Sequence, residues 1–180
     1  VDESGIQGRA VDKTNIIQML CLAKRDEKLM SVVAIVGMPG LGKTTLAQLV
    51  YNDDEVENHF GKKIWITVSQ NFNVVDILNL MVESLDQRNR PQKVPGTLLF
   101  ELEGLLGNSK LLLVLEDVWN VNVLEWKRLN DSLIGINVQI LVTTRNLRVA
   151  EIMQSSTYHL GKLSFKDSWK IFEHKVFSVG

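Results

Sequence analysis

The segment that most constrains the fold of this chain is VAIVGMPGLGKTTLAQLVY, which runs from Val33 to Tyr51. It begins with a short apolar run, continues through three glycines and a proline, and ends in a helical pattern with apolar residues on one side. A strand that leads through a tight turn into a helix is the first half of a parallel β-α-β unit. Glycines at such a turn leave backbone N–H groups open to an anion, and the positive end of the helix dipole points the same way. The segment therefore predicts both a parallel sheet and a loop that binds phosphate.

The residues GMPGLGKT match the pattern G-x-x-x-x-G-K-[ST] of a phosphate-binding loop, or P-loop. A phosphate chain needs several backbone N–H groups that converge on it, and a side chain at those points would block its approach. Gly37, Gly40 and Gly42 meet that need. Lys43 would reach the β- and γ-phosphates, and the hydroxyl of Thr44 would bind Mg²⁺. A glycine-rich turn without a ligand is the alternative, and the flanking strand and helix argue against it.

Short apolar runs alternate with helical patterns along most of the chain. The runs typical of strands buried on both faces are Ser31 to Gly37, Lys63 to Ser69, Leu111 to Asp117 and Val138 to Thr144. The helical patterns between and after them are Thr44 to Tyr51, Val74 to Leu85, Leu98 to Leu106, Leu124 to Leu133 and Leu147 to Met153. This alternation predicts an α/β fold of the P-loop NTPase type, a mostly parallel β-sheet flanked by helices on both faces.

Two further segments stand outside this alternation. Before the first strand, Asp12 to Lys28 has apolar residues at helical spacing, and Asp12 is a candidate N-cap. The polar stretch from Asp86 to Thr97 contains two of the three prolines and predicts a flexible loop. We therefore expect residues 1–30 to form an N-terminal segment with a helix, and residues 31–180 to form the P-loop domain.

Acidic residues follow the apolar strand KLLLVLED at its carboxyl end, where open α/β sheets bind their ligands. Glu116 and Asp117 are therefore candidates for work on a metal ion beside the phosphates, with acids that merely end a strand as the alternative. The strand ILVTTR ends at Arg145. This arginine is either a contact to a γ-phosphate or a solvated charge, and the residue type alone does not decide between them.

Composition bears on several other classes of protein. The net charge is −1, from 20 basic and 21 acidic residues, and gives no overall electrostatic case for a nucleic-acid or anionic membrane partner. No apolar run approaches the roughly 20 residues of a membrane span. The single cysteine, Cys21, excludes an intrachain disulfide and fits a reducing compartment, so we expect a cytoplasmic protein. Trp65, Trp126 and Trp169 lie within apolar patterns and are predicted to be core residues.

Taken in order, these motifs resemble the nucleotide-binding part of the NB-ARC domain, which is found in plant intracellular immune receptors of the nucleotide-binding, leucine-rich-repeat type. The matching blocks are GIQGRAVDKTNII, GMPGLGKTTLAQLVYND, IWITVSQNFNVVDIL, KLLLVLEDVW, ILVTTRNLRVA and YHLGKLSFKDSWKIFEHKVF. Together they cover nearly the whole chain and are far more specific than a P-loop alone. The tryptophan at position 119 resembles the one found in the subgroup whose receptors carry an N-terminal coiled coil. Without the family, Trp119 would be assigned to a core or an interface.

The resemblance implies an ADP/ATP-binding molecular switch. Such domains hold ADP in an inactive state, exchange it for ATP, and assemble into oligomers that trigger defence signalling. ATP hydrolysis is at most a slow resetting step. The implied cofactors are therefore ADP or ATP with Mg²⁺.

Site residues follow from the same resemblance, position by position. Ile6 and Arg9 would lie by the adenine. The phosphates would be held by Gly40, Gly42, Lys43, Thr44 and Thr45. Glu116 would take the metal-associated acid position, with Thr44 as the other metal-binding residue. Asp117 would take the water-activating catalytic position, and Arg145 that of a γ-phosphate sensor.

Two residues depart from the family pattern. Ala10 stands where the family usually has an acid after Gly-Arg, which is expected to loosen the clasp that the N-terminal segment forms. Glu116 stands where the family usually has aspartate, which is one methylene shorter. Because Mg²⁺ demands near-octahedral geometry, the longer acid predicts competent nucleotide binding with very slow hydrolysis. On this hypothesis, Glu116→Asp raises single-turnover hydrolysis.

Other functions remain open at this stage. A P-loop ATPase or small-molecule kinase with real turnover would need an acceptor pocket or an arginine-rich lid, and the sequence shows neither. A structural remnant that binds nucleotide weakly is a third possibility. We also expect the chain to be a fragment, because the family's helical ARC regions and leucine-rich repeats are absent. The parent's partners would be its own repeats and coiled coil, and further copies of itself on activation.

Overall fold

The computed structural model describes residues 9–21, 30–68, 70–86 and 95–161. The helices in these ranges are α1 (Ala10–Cys21), α2 (Lys43–Tyr51), α3 (Asp54–His59), α4 (Val74–Leu85), α5 (Pro95–Leu106), α6 (Val123–Ser132) and α7 (Leu147–Ile152). The strands are β1 (Ser31–Val36), β2 (Lys62–Thr67), β3 (Leu111–Glu116), β4 (Val138–Thr144) and β5 (Ser156–His159).

The strands form one parallel sheet in the order β2-β3-β4-β1-β5. Thr67 on β2 pairs with Glu116 on β3, and Val36 on β1 pairs with Thr144 on β4. The carboxyl ends of these strands therefore meet at one edge of the sheet. This confirms the predicted α/β fold with a parallel sheet.

Alternate residues of the central strands enter two separate apolar cores, one on each face of the sheet. On β3, Leu113 belongs to the core beneath α4, α5, α6 and α7, and Leu112 belongs to the core beneath α1, α2 and α3. Both side chains are fully buried. We call these sides the α4–α7 face and the α1–α3 face. Two-sided burial explains why β3 and β4 read as continuous apolar runs.

The predicted strands and helices are present, with boundaries that differ by a few residues within the described ranges, but α3 and β5 went unpredicted. The predicted ends at Lys28 and Ser69 lie outside those ranges. Helix α3 is the short polar sequence DEVENH, which has no apolar period. The Asp53 side chain starts it by accepting a hydrogen bond from the backbone N–H of Glu55 at 2.9 Å. Strand β5 has the sequence STYH and, within the described ranges, pairs with β1 at the end of the strand order. Neither segment carries the periodicity from which sequence patterns predict elements.

Two predictions about segment ends were wrong. Helix α1 begins at Ala10, so Asp12 lies within its first turn rather than at the N-cap. The loop predicted to reach Thr97 ends earlier, because Pro95 opens α5. Proline suits a first helical position, where its missing N–H has no helical partner to lose. Asp86 is the C-cap of α4 and is buried, while residues 87–94 lie outside the described ranges.

Across the ranges that the structure describes, none of the helices combines the length and apolar character that crossing a bilayer requires.

Candidate nucleotide-binding site

The glycine-rich loop connects β1 to α2 at the carboxyl edge of the sheet. Gly40 and Gly42 have φ angles of 81° and 87°, in the left-handed region that favours glycine. Gly37 is needed for a different reason, since a Cβ there would lie 3.1 Å from the carbonyl oxygen of Leu160. The loop therefore requires glycine at each of the motif positions, twice for backbone conformation and once for close packing.

Lys43 and Thr45 lie in the first turn of α2, directly after the loop. The Lys43 ammonium donates a hydrogen bond to the carbonyl oxygen of Met38 at 2.9 Å, so the side chain folds back over the loop. Burial lowers the pKa of Lys43, the carboxylate of Asp117 opposes that shift, and the guanidinium of Arg145 adds to it. Lys43, Asp117 and Arg145 are therefore close enough to interact electrostatically, although they lie on three different elements.

The carboxylate of Glu116 lies at the centre of a hydrogen-bonded group at the end of β3. The Thr44 hydroxyl donates to its Oε1 at 2.7 Å. The Trp65 indole N–H and the Thr67 hydroxyl both donate to its Oε2, at 3.1 and 2.8 Å. The sequence assigned Thr44 and Glu116 to one metal ion, which stays a prediction, and it missed the two donors from β2.

Asp117 follows with its backbone in the left-handed region, at a φ of 57°. This conformation is uncommon outside glycine and is best tolerated by aspartate and asparagine. The Thr143 hydroxyl accepts a hydrogen bond from the Asp117 N–H at 2.8 Å, and the Thr144 hydroxyl donates to the Val118 carbonyl at 2.6 Å. Both threonines are buried, so the end of β4 fixes the turn that exposes the Asp117 side chain.

Arg145 is exposed at the end of β4, and its guanidinium carbon lies 4.0 Å from the centre of the Trp119 ring. Asn146 donates from its side chain to the Trp119 carbonyl at 3.4 Å, which joins the two segments again. Stacking of a guanidinium on an aromatic face restrains the charge without neutralising it. Trp119 therefore supports Arg145, a contact that the sequence did not reveal.

Arg9 is buried and contacts the phosphate loop through its side chain. Its guanidinium donates to the carbonyl oxygens of Leu41 and Gly161, at 2.9 and 3.0 Å, and to the Asp12 carboxylate at 2.9 Å. The Tyr158 hydroxyl donates to the other Asp12 oxygen. Asp12 thus supplies the carboxylate that Ala10 lacks, and Ala10 itself is exposed.

We call the contacts of Arg9, Asp12 and Tyr158 the N-terminal clasp. The predicted role of Arg9 at the adenine stays a prediction. Ile6, its predicted companion, lies outside the described residues, as does Trp169. Trp126 is buried in a core as predicted, whereas Trp65 is half-buried and divides its surface between the core and Glu116.

The side-chain oxygen atoms of Thr44 and Glu116 are suitable ligands for Mg²⁺. The ion prefers oxygen ligands and is usually held by one or two carboxylates, several waters and the phosphates of a nucleotide. Thr44 Oγ1 and Glu116 Oε1 are both oxygen atoms, 2.7 Å apart, at the loop that would hold the phosphates. Thr44 and Glu116 are therefore the residues that would hold the ion.

Comparison with known sequences places this chain in a family. The NB-ARC domain matches residues 10–179. The chain is 42% identical over 182 residues to the RPP13-like protein 1 of Arabidopsis thaliana, covering 98% of this chain and 17% of that protein. It is 38% identical over 179 residues to disease resistance protein RGA2 of Solanum bulbocastanum, covering 97% of this chain and 18% of that protein. The chain thus spans less than a fifth of the length of these relatives.

Solved structures share the fold at low identity. Cdc6p from Pyrobaculum aerophilum superposes with a TM-score of 0.69 at 16% identity, covering 99% of this chain and 54% of that one. The STAND protein (Signal Transduction ATPase with Numerous Domains) with a tetratricopeptide repeat sensor from Pyrococcus horikoshii superposes with a TM-score of 0.53 at 15% identity, covering 93% and 25%. At such identities the likeness shows the fold alone. The family match over nearly the whole length, together with the identity to plant disease resistance proteins, shows that this chain belongs to the NB-ARC domain family.

Proposed function

We propose that this chain is the ADP/ATP-binding switch of a plant immune receptor, in which nucleotide exchange controls defence signalling and ATP hydrolysis is at most slow. The observation that carries the proposal is the convergence of the glycine-rich loop and three neighbouring elements at one edge of the sheet. Helix α2 brings Lys43, the end of β3 brings Glu116 and Asp117, and the end of β4 brings Arg145. This combination of a phosphate cradle, a metal-binding pair and a second cation suits a nucleoside di- or triphosphate.

Each residue has a distinct part in binding. The backbone N–H groups of the loop and the first turn of α2, including Thr45, would bind the phosphate oxygens, and Lys43 would add a charge-assisted contact. Thr44 and Glu116 would hold Mg²⁺, which would supply positive charge against that of the phosphates. Asp117 would accept a hydrogen bond from a water molecule and orient it. Arg9 would hold the loop in place through the Leu41 carbonyl and, with Ile6, lie near the adenine.

A switch needs a contact that one nucleotide makes and the other does not, because a ligand shifts an equilibrium only by its differential affinity for the two states. ADP and ATP differ by the γ-phosphate. Arg145 is a cation at the end of β4, close enough to lower the pKa of Lys43, and Trp119 restrains it. In our proposal Arg145 contacts the γ-phosphate and is released when that group is lost.

The wider setting of the switch belongs to the same proposal. The curated relatives are several times longer than this chain. We propose that the parent protein is cytoplasmic and carries leucine-rich repeats and a coiled-coil domain, which contact this domain in the inactive state. Exchange of ADP for ATP would release those contacts and allow assembly of further copies.

Chromatography of nucleotide released from the purified, denatured chain tests the proposal. Retained ADP is expected, together with single-turnover ATP hydrolysis that is much slower than nucleotide binding. Rapid multiple turnover would instead identify an ATPase. Absence of nucleotide, combined with no binding of a fluorescent ADP analogue, would refute the switch.

A further inference from the structure

We propose that Trp65 and Thr67 are positioning residues for the metal-associated acid: they hold Oε2 of Glu116 so that Oε1 stays against Thr44. Strand β2 thereby becomes part of the Mg²⁺–nucleotide site. This inference rests on the proposed function, because it concerns the same site. It gives strand β2 a role in the site, in addition to the P-loop and the acids Glu116 and Asp117.

The two oxygens of Glu116 have different partners on opposite sides. Oε1 accepts from the Thr44 hydroxyl on α2, at 2.7 Å. Oε2 accepts from Thr67 at 2.8 Å and from Trp65 at 3.1 Å, both on β2. A carboxylate held at one oxygen by two donors has lost much of its rotational freedom. The other oxygen is therefore presented in a fixed direction, which is what an ion with strict octahedral geometry requires.

The sheet register explains why these two residues reach the carboxylate. Thr67 is the direct partner of Glu116 across the β2–β3 pair, and Trp65 lies two residues earlier on the same face of β2. The Trp65 ring is itself restrained by Tyr51, whose ring centre lies 5.5 Å away in an edge-to-face arrangement. Tyr51 is the last residue of α2, the helix that begins at Lys43. The donor and the phosphate loop are thus held by one helix.

The length of the acid matters in this arrangement. Glu116 spans from β3 to Thr44 with one oxygen while the other remains with β2. Aspartate is one methylene shorter and would give up one of these contacts. The extra methylene of Glu116 thus allows both contacts at once. We therefore expect Glu116→Asp to weaken the metal site, whereas the sequence predicted that this change would raise single-turnover hydrolysis.

Affinity for a fluorescent ADP analogue, measured in Mg²⁺ and in EDTA, tests the proposal. Trp65→Phe removes the indole N–H but keeps a ring against Tyr51, and Thr67→Val removes an exposed hydroxyl at nearly constant shape. Each is expected to reduce the Mg²⁺-dependent gain in affinity about tenfold, the lower end of effects seen when partners of metal ligands are removed. Affinity in EDTA should stay within about twofold of wild type, because the loop and Lys43 are unchanged.

Matched controls separate positioning from general damage. Trp126→Phe alters a buried tryptophan on the α4–α7 face, and Thr157→Val removes a strand hydroxyl whose contacts are with Ser155. Both should keep the wild-type gain in Mg²⁺, even where they lower stability. If Trp65→Phe and Thr67→Val keep it too, or if wild type binds ADP equally in Mg²⁺ and EDTA, the proposal is overturned.

A measurement without nucleotide tests the contact itself. The indole N–H resonance of Trp65 is identified by its loss in Trp65→Phe. It should move towards the position of a solvated indole in Glu116→Asp, while the Trp126 resonance stays in place. An unmoved Trp65 resonance, or a larger Mg²⁺-dependent gain in Glu116→Asp, contradicts the proposal.

The two proposals fail in different ways. A wild-type chain that binds no ADP analogue refutes the switch and, with it, a metal role for β2. A wild-type chain that binds ADP more tightly in Mg²⁺, with Trp65→Phe and Thr67→Val unchanged, refutes only the role of β2.

Discussion

The two faces of the sheet differ in the ion pairs that accompany their apolar cores. On the α4–α7 face, ion pairs such as Arg128–Glu125 and Arg148–Glu151 lie within single helices, and a hydrogen bond from the Val74 N–H to the Glu125 carboxylate at 3.2 Å joins α4 to α6. The α1–α3 face has its own apolar core and also polar links between elements. These include the N-terminal clasp, the Lys13–Asp53 pair at 2.9 Å and the Lys63–Glu57 pair.

This difference follows from where the phosphate loop lies. Apolar packing is non-directional and contributes stability in proportion to the buried area. Hydrogen bonds and ion pairs are directional, contribute less stability each, and fix elements relative to one another. The α1–α3 face carries the loop and α2, where small displacements matter for ligand binding. We therefore expect substitutions in the cores to act on stability. Substitutions of the polar side chains at the carboxyl edge of the sheet should act on binding.

The largest effect is expected from Leu113→Ala, in the core of the α4–α7 face. Leu113 is fully buried, and truncation of such a residue typically costs about 2–5 kcal/mol. Urea denaturation measures the loss. Affinity for ADP should be unchanged under conditions where the variant is folded, because the side chain points away from the loop face. The matched variant Leu112→Ala, one residue earlier and on the α1–α3 face, should lose a similar amount of stability. A loss below about 1 kcal/mol in both would contradict two-sided burial of β3.

Lys43→Ala tests an effect on nucleotide binding rather than on stability. Removal of a charge-assisted contact to the phosphates is expected to cost about 1.5–3 kcal/mol, or roughly 10- to 100-fold in affinity. The denaturation midpoint should hardly move, because the hydrogen bond that the ammonium makes among the described residues is to a loop carbonyl. Titration with a fluorescent ADP analogue measures the affinity. Lys110→Ala, at an exposed lysine before β3, is the control and should bind as wild type does. Unchanged affinity in folded Lys43→Ala would sink the phosphate-loop assignment.

Tyr158→Phe tests the N-terminal clasp with a smaller change. Burial raises the pKa of Tyr158, and its hydrogen bond to Asp12 raises it further, so the hydroxyl keeps its proton and remains a donor. Phenylalanine keeps the packing of the ring but loses this hydrogen bond and the one that the hydroxyl accepts from Asn15 at 3.3 Å. The free energy of unfolding should therefore fall by about 1 kcal/mol. Thermal unfolding followed by circular dichroism measures it. No change in the midpoint would mean that the clasp depends on Arg9 alone.

The smallest effect is expected from Asp53→Asn, and it should depend on pH. Partial burial opposes ionisation of Asp53, but hydrogen bonds from Lys13 and from the backbone N–H of Glu55 outweigh it, so the pKa of Asp53 lies below its ordinary value of 3.8. The charged form is therefore favoured by folding. Its contribution is present above pH 3.8 and is lost as the pH falls through the lower pKa of the folded state.

Asparagine keeps the N-cap of α3 and removes only the charge. At neutral pH the difference from wild type should be about 0.2–1 kcal/mol, the range of exposed pairs. Urea denaturation at several pH values should show this difference disappearing in acid. A difference that persists in acid would mean that the carboxylate acts by shape rather than by charge.

Most of the helices and strands, and the phosphate loop, could be predicted from the sequence. Continuous apolar runs predicted β3 and β4 because both of their faces are covered, and GMPGLGKT predicted the loop because its glycines meet local backbone requirements. Such signals are local and need no knowledge of what lies nearby. The same reasoning missed α3 and β5, which are short, polar and without period.

Tertiary structure decided which side chains support the site. From its place in the chain Trp65 is one apolar residue among several, and only the parallel register of β2 on β3 brings it to Glu116. Asp12 reads as a helix cap until the fold brings Arg9 and Tyr158 to it. These contacts join residues separated by tens to more than a hundred positions, except for Arg9 and Asp12. Local chemistry therefore determined the phosphate loop and the acids from the sequence alone, whereas the partners that orient the acids depend on strand order, which no local pattern encodes.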